Sequence, residues 1–145
     1  MRFRCDAYDY PPDECRRLVL YASHGVNKRG VSVSIRPRLA GFSGWAYSDG
    51  RINMRLGPRC TLRPVEAQTK ALRRVYPSIP CRDWRDVLIF LSAHEFQHLH
   101  QFRYWRGSAS EVDADERAIE VLNAWRAETG RRPIRPLARP PLFYL

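Results

Sequence analysis

The sequence predicts a single α+β domain in which a small antiparallel sheet precedes a pair of long helices. At 145 residues the chain is long enough for one hydrophobic core and too short for two ordinary ones. Strict alternation of apolar and polar residues over 31–35 and an Asp-Gly hairpin signal at 49–50 indicate the sheet. Apolar residues at helical spacing over most of the second half indicate the helices.

One helix and three strands are predicted in the first half. A Pro-Pro-Asp start followed by apolar residues at helical spacing predicts a helix over residues 14–22. The alternating run over 31–35 predicts a half-buried strand that ends before a proline. Residues 45–47 and 52–56 flank the Asp-Gly pair and are predicted to form a hairpin, whereas residues 41–44 are predicted to form a loop.

Three helices are predicted in the second half. They cover residues 65–75, about 82–104 and about 111–128, and a proline or a glycine follows each of them. Ser108 or Ser110 is the predicted N-cap of the last helix, because a serine oxygen can accept a hydrogen bond from the first turn.

The end of the chain differs in composition from the rest. Residues 131–145 hold four prolines, four arginines and no acidic residue. Such a segment cannot form a regular helix, because proline lacks the backbone N–H that a helix needs. We therefore expect one domain over residues 1–130, followed by an Arg/Pro-rich C-terminal extension over 131–145.

The formal net charge is +10, from 25 lysines and arginines against 15 acidic residues. A charge of this size attracts polyanions through long-range fields and counterion release. Nucleic acid is therefore an alternative partner. The basic residues are spread along the whole chain, however, and no nucleic-acid-binding motif accompanies them.

The chain is expected to be a cytoplasmic protein without a membrane partner. No apolar run approaches the length of a transmembrane helix, and the N-terminus lacks the apolar core of a secretory signal. The four cysteines form no C-x-x-C pair, so neither a zinc ribbon nor a redox motif is predicted. We expect buried or idle thiols, and the first disulfide to test for is Cys5 with Cys15.

The sequence H-E-F-Q-H at residues 94–98 is the most informative motif of the chain. It lies within the long predicted helix, where residues four apart share a face. His94 and His98 can therefore bind one zinc ion between their imidazole rings. Glu95 can reach a water molecule bound to that metal, which is the arrangement of a zinc-dependent hydrolase.

A zinc site of this kind needs a third protein ligand, and the next helix offers two acidic candidates. Glu111 and Asp115 are four residues apart and share one helix face. Asp113 and Glu116 are expected to lie on other faces of that helix.

The segment H-E-x-x-H at residues 94–98, followed by E-x-x-x-D at 111–115, resembles the metal-binding motifs of the gluzincin metallopeptidases, although the two segments lie closer together in this chain than in that family. The small size of the chain is similar to that of the minigluzincins. The resemblance covers roughly residues 45–128. It implies a zincin-like fold with an active-site helix, a ligand-bearing helix and an edge strand above the metal that binds substrate. Residues 52–56 are our candidate for that strand.

The same resemblance implies a role for each residue of the site. His94, His98 and Glu111 would be the zinc ligands. Asp115 would hold a ligand imidazole by its distal N–H, as carboxylates behind metal-bound histidines usually do. Glu95 would be the general base.

Helix geometry leaves the third ligand open between Glu111 and Asp115. If the long helix runs to Trp105, His98 lies about 10 Å from its end at a rise of about 1.5 Å per residue. A return helix that starts at Ser108 would place Glu111 about 5 Å and Asp115 about 10 Å along its axis. Straight antiparallel packing thus favours Asp115, whereas an earlier helix end or a tilted crossing favours Glu111.

These residues also have structural interpretations. Glu111 is spaced from Ser108 as in a capping box, so it could serve only the helix terminus. Asp115 could be a surface carboxylate that pairs with an arginine. The two histidines could share a helix face by coincidence.

The predicted function is zinc-dependent hydrolysis of peptide bonds, with a protein or peptide as substrate. In this mechanism the metal activates a water molecule, and Glu95 takes its proton and passes it to the leaving amine. The developing oxyanion needs a further donor, for which the candidates are Tyr104, Tyr47 and His24.

Two alternative functions remain at the sequence level. The chain could be a regulatory or DNA-associated basic protein in which the zinc site is structural or vestigial. It could also be an interaction protein in which the motif is accidental. Zinc content separates the second alternative from the other two interpretations.

Overall fold

The computed structural model describes residues 1–68, 78–105 and 110–134. Within them the chain is an α+β protein with a four-stranded main sheet, a two-stranded second sheet and three α-helices. In chain order the elements are β1 (Arg2–Cys5), α1 (Pro12–Ala22), β2 (Ser32–Pro37), β3 (Phe42–Ala46), β4 (Arg51–Leu56), a 3-10 turn (Arg59–Leu62), β5 (Val65–Gln68), β6 (Ser78–Cys81), α2 (Trp84–Tyr104) and α3 (Glu111–Glu128).

The main sheet is mixed, which corrects the prediction of an antiparallel sheet. Its strand order is β1-β2-β4-β3, and β1 with β2 and β2 with β4 are parallel pairs. Only β3 and β4 are antiparallel, through the predicted hairpin at Asp49-Gly50. The prediction missed strand β1. Helix α1 connects β1 to β2, and a crossover through a helix lets two neighbouring strands run parallel.

The edge strand that packs on α2 is β3, which corrects the choice of residues 52–56. Those residues lie in β4, between β2 and β3, and the side chains of Ile52, Met54 and Leu56 are fully buried there. The predicted loop over 41–44 is also wrong from Phe42 onward, because these residues pair with β4. Glycine and serine favour a loop locally, but pairing with a neighbouring strand decides the conformation here.

The predicted helix over residues 65–75 is wrong in its described part. Val65–Gln68 forms β5, which pairs antiparallel with β6 (Ser78–Cys81). Val65 and Ala67, two residues apart, both pack against the core, as the two-residue period of a strand requires. The remaining residues of the predicted helix, 69–75, lie outside the described residues.

The other helices match their predictions closely. The helix predicted over 14–22 is α1, which begins two residues earlier with Pro12 in its first turn. The long helix α2 begins after Asp83, whose carboxylate accepts hydrogen bonds from the first turn. It is buried along most of its length, because α1, α3 and β3 pack around it.

The last helix, α3, has Ser110 as its N-cap, where it accepts a hydrogen bond from the N–H of Asp113. Beyond the helix, the side chain of Asn123 donates to and accepts from the backbone of Ile134, which is buried. Residues 135–145 of the predicted extension lie outside the described residues.

No membrane-spanning helix is found among the described residues, because none of their helices combines the length and the apolar character that such a span requires.

All four cysteines are free thiols. Cys15 and Cys81 are buried, Cys5 is half-buried and Cys60 is exposed. The prediction of buried or idle thiols therefore holds for the two buried cysteines. Cys5 and Cys15 lie in hydrogen-bond contact, and that contact lowers the pKa of the Cys5 thiol to about 7.

Candidate metal centre

The two motif histidines meet on one face of α2. His94 and His98 are one turn apart, and their Nε2 atoms lie 3.0 Å from each other. Their side chains are 13% and 9% exposed, so both rings are largely removed from solvent. The predicted juxtaposition of the two imidazoles is confirmed.

Glu111 completes the cluster from the first turn of α3. Its Oε2 lies 3.2 Å from Nε2 of His94, and its Oε1 lies 3.3 Å from Nε2 of His98. Ligand atoms of the three residues all lie within 4.8 Å of one another. Of the two acidic candidates, the structure thus brings Glu111 to the Nε2 atoms.

Asp115 lies behind His94 instead. Its Oδ1 is 2.9 Å from Nδ1 of His94, and its side chain is only 5% exposed. The interpretation of Asp115 as a surface carboxylate is therefore wrong. Straight antiparallel packing from the end of α2 favoured Asp115 as the ligand, but α3 does not start beyond that end. It starts beside Gln101, whose Oε1 accepts from the N–H of Ser110, and this places Glu111 next to the histidines.

The surroundings of the rings determine where their protons lie. A carboxylate only accepts hydrogen bonds, so Asp115 favours the proton of His94 on Nδ1. His98 has its Nδ1 at 2.9 Å from Oε1 of Gln101, an acceptor as well. When both rings are neutral, their Nε2 atoms therefore present lone pairs toward each other and toward the carboxylate of Glu111.

This arrangement fits a divalent cation. Lone pairs of two nitrogens and a carboxylate repel one another at these separations unless a positive charge lies among them, and Oε2 of Glu111 is buried without a hydrogen-bond partner. Two imidazoles and a carboxylate are a ligand set that zinc takes, and ligands about 2.0–2.2 Å from a tetrahedral zinc lie about 3.4 Å apart. The observed separations of 3.0–3.3 Å are close to that value.

Electrostatics around His94 favour positive charge. Burial alone lowers the pKa of His94, because it disfavours the charged ring. The contact of its Nδ1 with the Asp115 carboxylate, which accepts from this ring, and the negative charges of Glu95, Asp115 and Glu111 raise its pKa by more. The pKa of His94 therefore lies above its usual 6.5.

Glu95 lies between the cluster and the edge strand. It is 5% exposed and packs against Gly44 in the middle of β3. A Cβ at Gly44 would lie 2.8 Å from Cδ1 of Leu91 and 2.9 Å from Oε1 of Glu95. Only glycine allows the strand to approach α2 this closely without displacing these two side chains.

A cavity of about 180 Å³ opens beside the cluster. It is bounded by β3 on one side and by α2 and α3 on the other, and its wall includes Trp45, Glu95 and Phe102. Trp45 is 62% exposed and Phe102 is 39% exposed, so aromatic rings form part of the rim.

The three proposed oxyanion donors do not line this cavity. His24 lies in a groove between α1 and α3, and the ring of Tyr47 packs under the guanidinium of Arg51. Tyr104 is exposed and contacts His100. Their predicted role has no support in the geometry.

Sequence reasoning missed a polar network on the other side of His98. Oδ2 of Asp113 accepts hydrogen bonds from Gln97 at 2.6 Å and from Gln101 at 2.8 Å. Gln101 lies three residues after His98, a spacing that places side chains next to each other on a helix. That spacing was the one signal in the sequence that could have indicated its role.

Comparison of this chain with models of protein families, with curated proteins and with solved structures found no match.

Proposed function

We propose that this chain is a zinc-dependent metallopeptidase of the gluzincin type with a zincin-like fold. The observation that carries the proposal is the convergence of His94, His98 and Glu111 from two helices, with Glu95 beside them on α2. Coincidence explains two histidines on one helix face, but it does not explain a carboxylate brought to both of their Nε2 atoms. The buried partner of His94, Asp115, gives further support.

Each residue has a distinct part in the proposed reaction. His94, His98 and Glu111 would hold the metal, and Asp115 would fix the orientation of the His94 ring. Bound zinc supplies a Lewis acid that polarises a water molecule and the substrate carbonyl. The carboxylate of Glu95 would accept a proton from the attacking water and return it to the leaving amine.

The edge of β3 supports a protein or peptide as substrate. One side of this strand pairs with β4, and none of the described strands pairs with its other side. An extended peptide can add to such an edge through backbone hydrogen bonds. The close packing of Gly44 on α2 would hold that peptide near Glu95.

The Glu95→Gln variant tests the reaction. We expect purified protein with zinc to hydrolyse an unfolded protein substrate, and Glu95→Gln to reduce the rate by about 10²- to 10⁴-fold, since it removes the general base. Zinc content should not change, because Glu95 is not one of the ligands. The measurement is release of new amino termini together with metal analysis.

Glu116→Gln is the matched control, because Glu116 is an exposed glutamate of α3. It should leave the rate unchanged. Equal rates in the Glu95→Gln variant and in the control would contradict the proposal. The alternative of a DNA-associated protein gives a different result: duplex DNA would bind with an affinity that falls steeply with salt, and neither variant would affect it.

A further inference from the structure

Gln101 is a buried polar residue in the last turns of α2. Gln101 is only 1% exposed, and both the oxygen and the nitrogen of its amide are hydrogen-bonded. Oε1 lies 2.9 Å from Nδ1 of His98 and accepts from the N–H of Ser110 at 3.0 Å. Nε2 donates to the carbonyl of Ser110 at 3.0 Å and to Oδ2 of Asp113 at 2.8 Å.

These contacts leave one orientation for the amide. The N–H of Ser110 can only donate, so the amide atom that faces it must be the oxygen. The carbonyl of Ser110 and the carboxylate of Asp113 can only accept, so the atom that faces them must be the nitrogen. Nδ1 of His98 therefore faces an oxygen and must carry the ring proton.

The same amide holds the start of α3. It bonds both the N–H and the C=O of Ser110, which directly precedes Glu111. It also bonds Asp113, whose own N–H donates to the N-cap oxygen of Ser110. The first turn of α3 is thus attached to α2 at the level of His98.

We propose that Gln101 is a positioning residue for the metal centre: its amide keeps the proton of His98 on Nδ1 and holds the first turn of α3 so that Glu111 faces both histidines. The inference rests on the proposed metal site. Removing the amide frees the ring to place its proton on Nε2, where it competes with a metal ion. It also removes the attachment that sets the position of Glu111.

The test compares Gln101→Met with Gln97→Met. Both variants remove a hydrogen bond to Oδ2 of Asp113, but only Gln101 also touches His98 and Ser110. The first readout is the tautomer of His98 in the metal-free protein, from ring nitrogen NMR shifts in alkaline buffer where imidazoles are neutral. The second readout is zinc affinity, from competition with a chromophoric chelator.

We expect wild type and Gln97→Met to carry the His98 proton on Nδ1 and to bind zinc equally. Gln101→Met should show the Nε2-protonated form and bind zinc about 10- to 100-fold more weakly, the usual effect of losing a partner behind a metal ligand. Wild-type affinity in Gln101→Met would overturn the proposal, and so would an equal loss in Gln97→Met.

The wild-type spectrum keeps the proposal testable if Gln101→Met does not fold. A His98 proton on Nε2 in the wild-type, metal-free protein would overturn it without any variant. Failure of this proposal can be distinguished from failure of the proposed function. A chain that has the metal centre but hydrolyses no peptide would still show the differences in His98 tautomer and zinc affinity between Gln101→Met and Gln97→Met.

Discussion

A single hydrogen atom in place of a side chain at Gly44 sets the distance between β3 and α2. A methyl group there would contact Leu91 and Glu95 at less than 3.0 Å, so one or both side chains must move. Movement of Glu95 displaces the proposed general base from its position beside the metal cluster. The residue thus links the packing of the edge strand to the chemistry.

We therefore expect Gly44→Ala to reduce peptide hydrolysis by about 10- to 100-fold, since small displacements of catalytic groups have effects of this size. Zinc content should stay at the wild-type value, because the heavy atoms nearest to this methyl position belong to Leu91 and Glu95 and not to a proposed ligand. Ser43→Ala on the same strand is the control and should keep its activity. Full activity in Gly44→Ala would show that Glu95 does not act from the observed position.

The raised pKa of His94 predicts how zinc binding depends on pH. Because the folded, metal-free protein holds this proton more tightly than the unfolded chain does, protonation stabilises the metal-free fold below about pH 6.5, and this stabilisation is lost as the pH rises through the folded pKa. Zinc must displace the same proton. We therefore expect zinc affinity to rise with pH through the slightly acidic and neutral range and then to level off.

Calorimetry in two buffers of different ionisation enthalpy measures the protons released on binding. At pH 6.5 we expect proton release on zinc binding, and in alkaline buffer we expect much less release by His94. A proton count that does not change between these conditions would contradict the account of His94.

At the scale of elements, α2 and α3 are joined by a buried ion pair at the end opposite to the junction formed by Gln101. Nη1 of Arg126 lies 2.7 Å from Oδ2 of Asp86, and both side chains are fully buried. Arg126 also donates to the carbonyl of Arg132, which follows α3. Loss of one partner leaves a buried charge without its counter-charge, which is strongly destabilising.

Asp86→Asn is expected to lower the free energy of unfolding by about 3–5 kcal/mol, the range for breaking a buried pair. The control is Glu120→Gln, which breaks the pair of Glu120 with Arg117 on the surface of α3 and should cost about 0.5 kcal/mol or less. Urea unfolding followed by circular dichroism gives both values. Equal stability of the two variants would contradict the structural role of the buried pair.

The sequence predicted those elements that local signals specify. Helical spacing located α1, α2 and α3, together with a proline in the first turn of α1 and the capping side chains Asp83 and Ser110 of the other two helices. Asp49-Gly50 located the β3–β4 hairpin. The parallel pairs β1–β2 and β2–β4 were not predictable in the same way, because they join segments distant in sequence and no turn signal marks them. The conformation of Val65–Gln68 likewise depends on its partner, β6.

Only part of the candidate site was predictable, because local spacing fixes some of its contacts and the packing of distant segments fixes the others. The spacing of His94 and His98 fixes their juxtaposition on any helix. The position of Glu111 depends on where α3 starts beside α2, which the contacts of Gln101 with Ser110 determine. A side-chain contact between two helices has no signature in the spacing of either helix, so Glu111 and Asp115 could not be distinguished beforehand.

At the scale of the whole molecule, the fold brings three distant segments to one place. The edge strand β3 supplies Gly44, the central helix α2 supplies both histidines and Glu95, and α3 supplies Glu111. A metal ion held by α2 and α3 would add a further connection between two helices that already share the buried ion pair. Binding to the folded state alone also stabilises a protein by mass action.

Zinc stoichiometry is the most direct measurement of the central claim that these residues form a metal centre. After dialysis against zinc and then metal-free buffer, we predict about one zinc per chain in the wild type. His100→Ala, a change on the same helix at a histidine outside the cluster, should retain the zinc, whereas His94→Ala and Glu111→Ala should lose most of it. A wild type that retains no zinc, or a His94→Ala variant that retains all of it, would contradict the account.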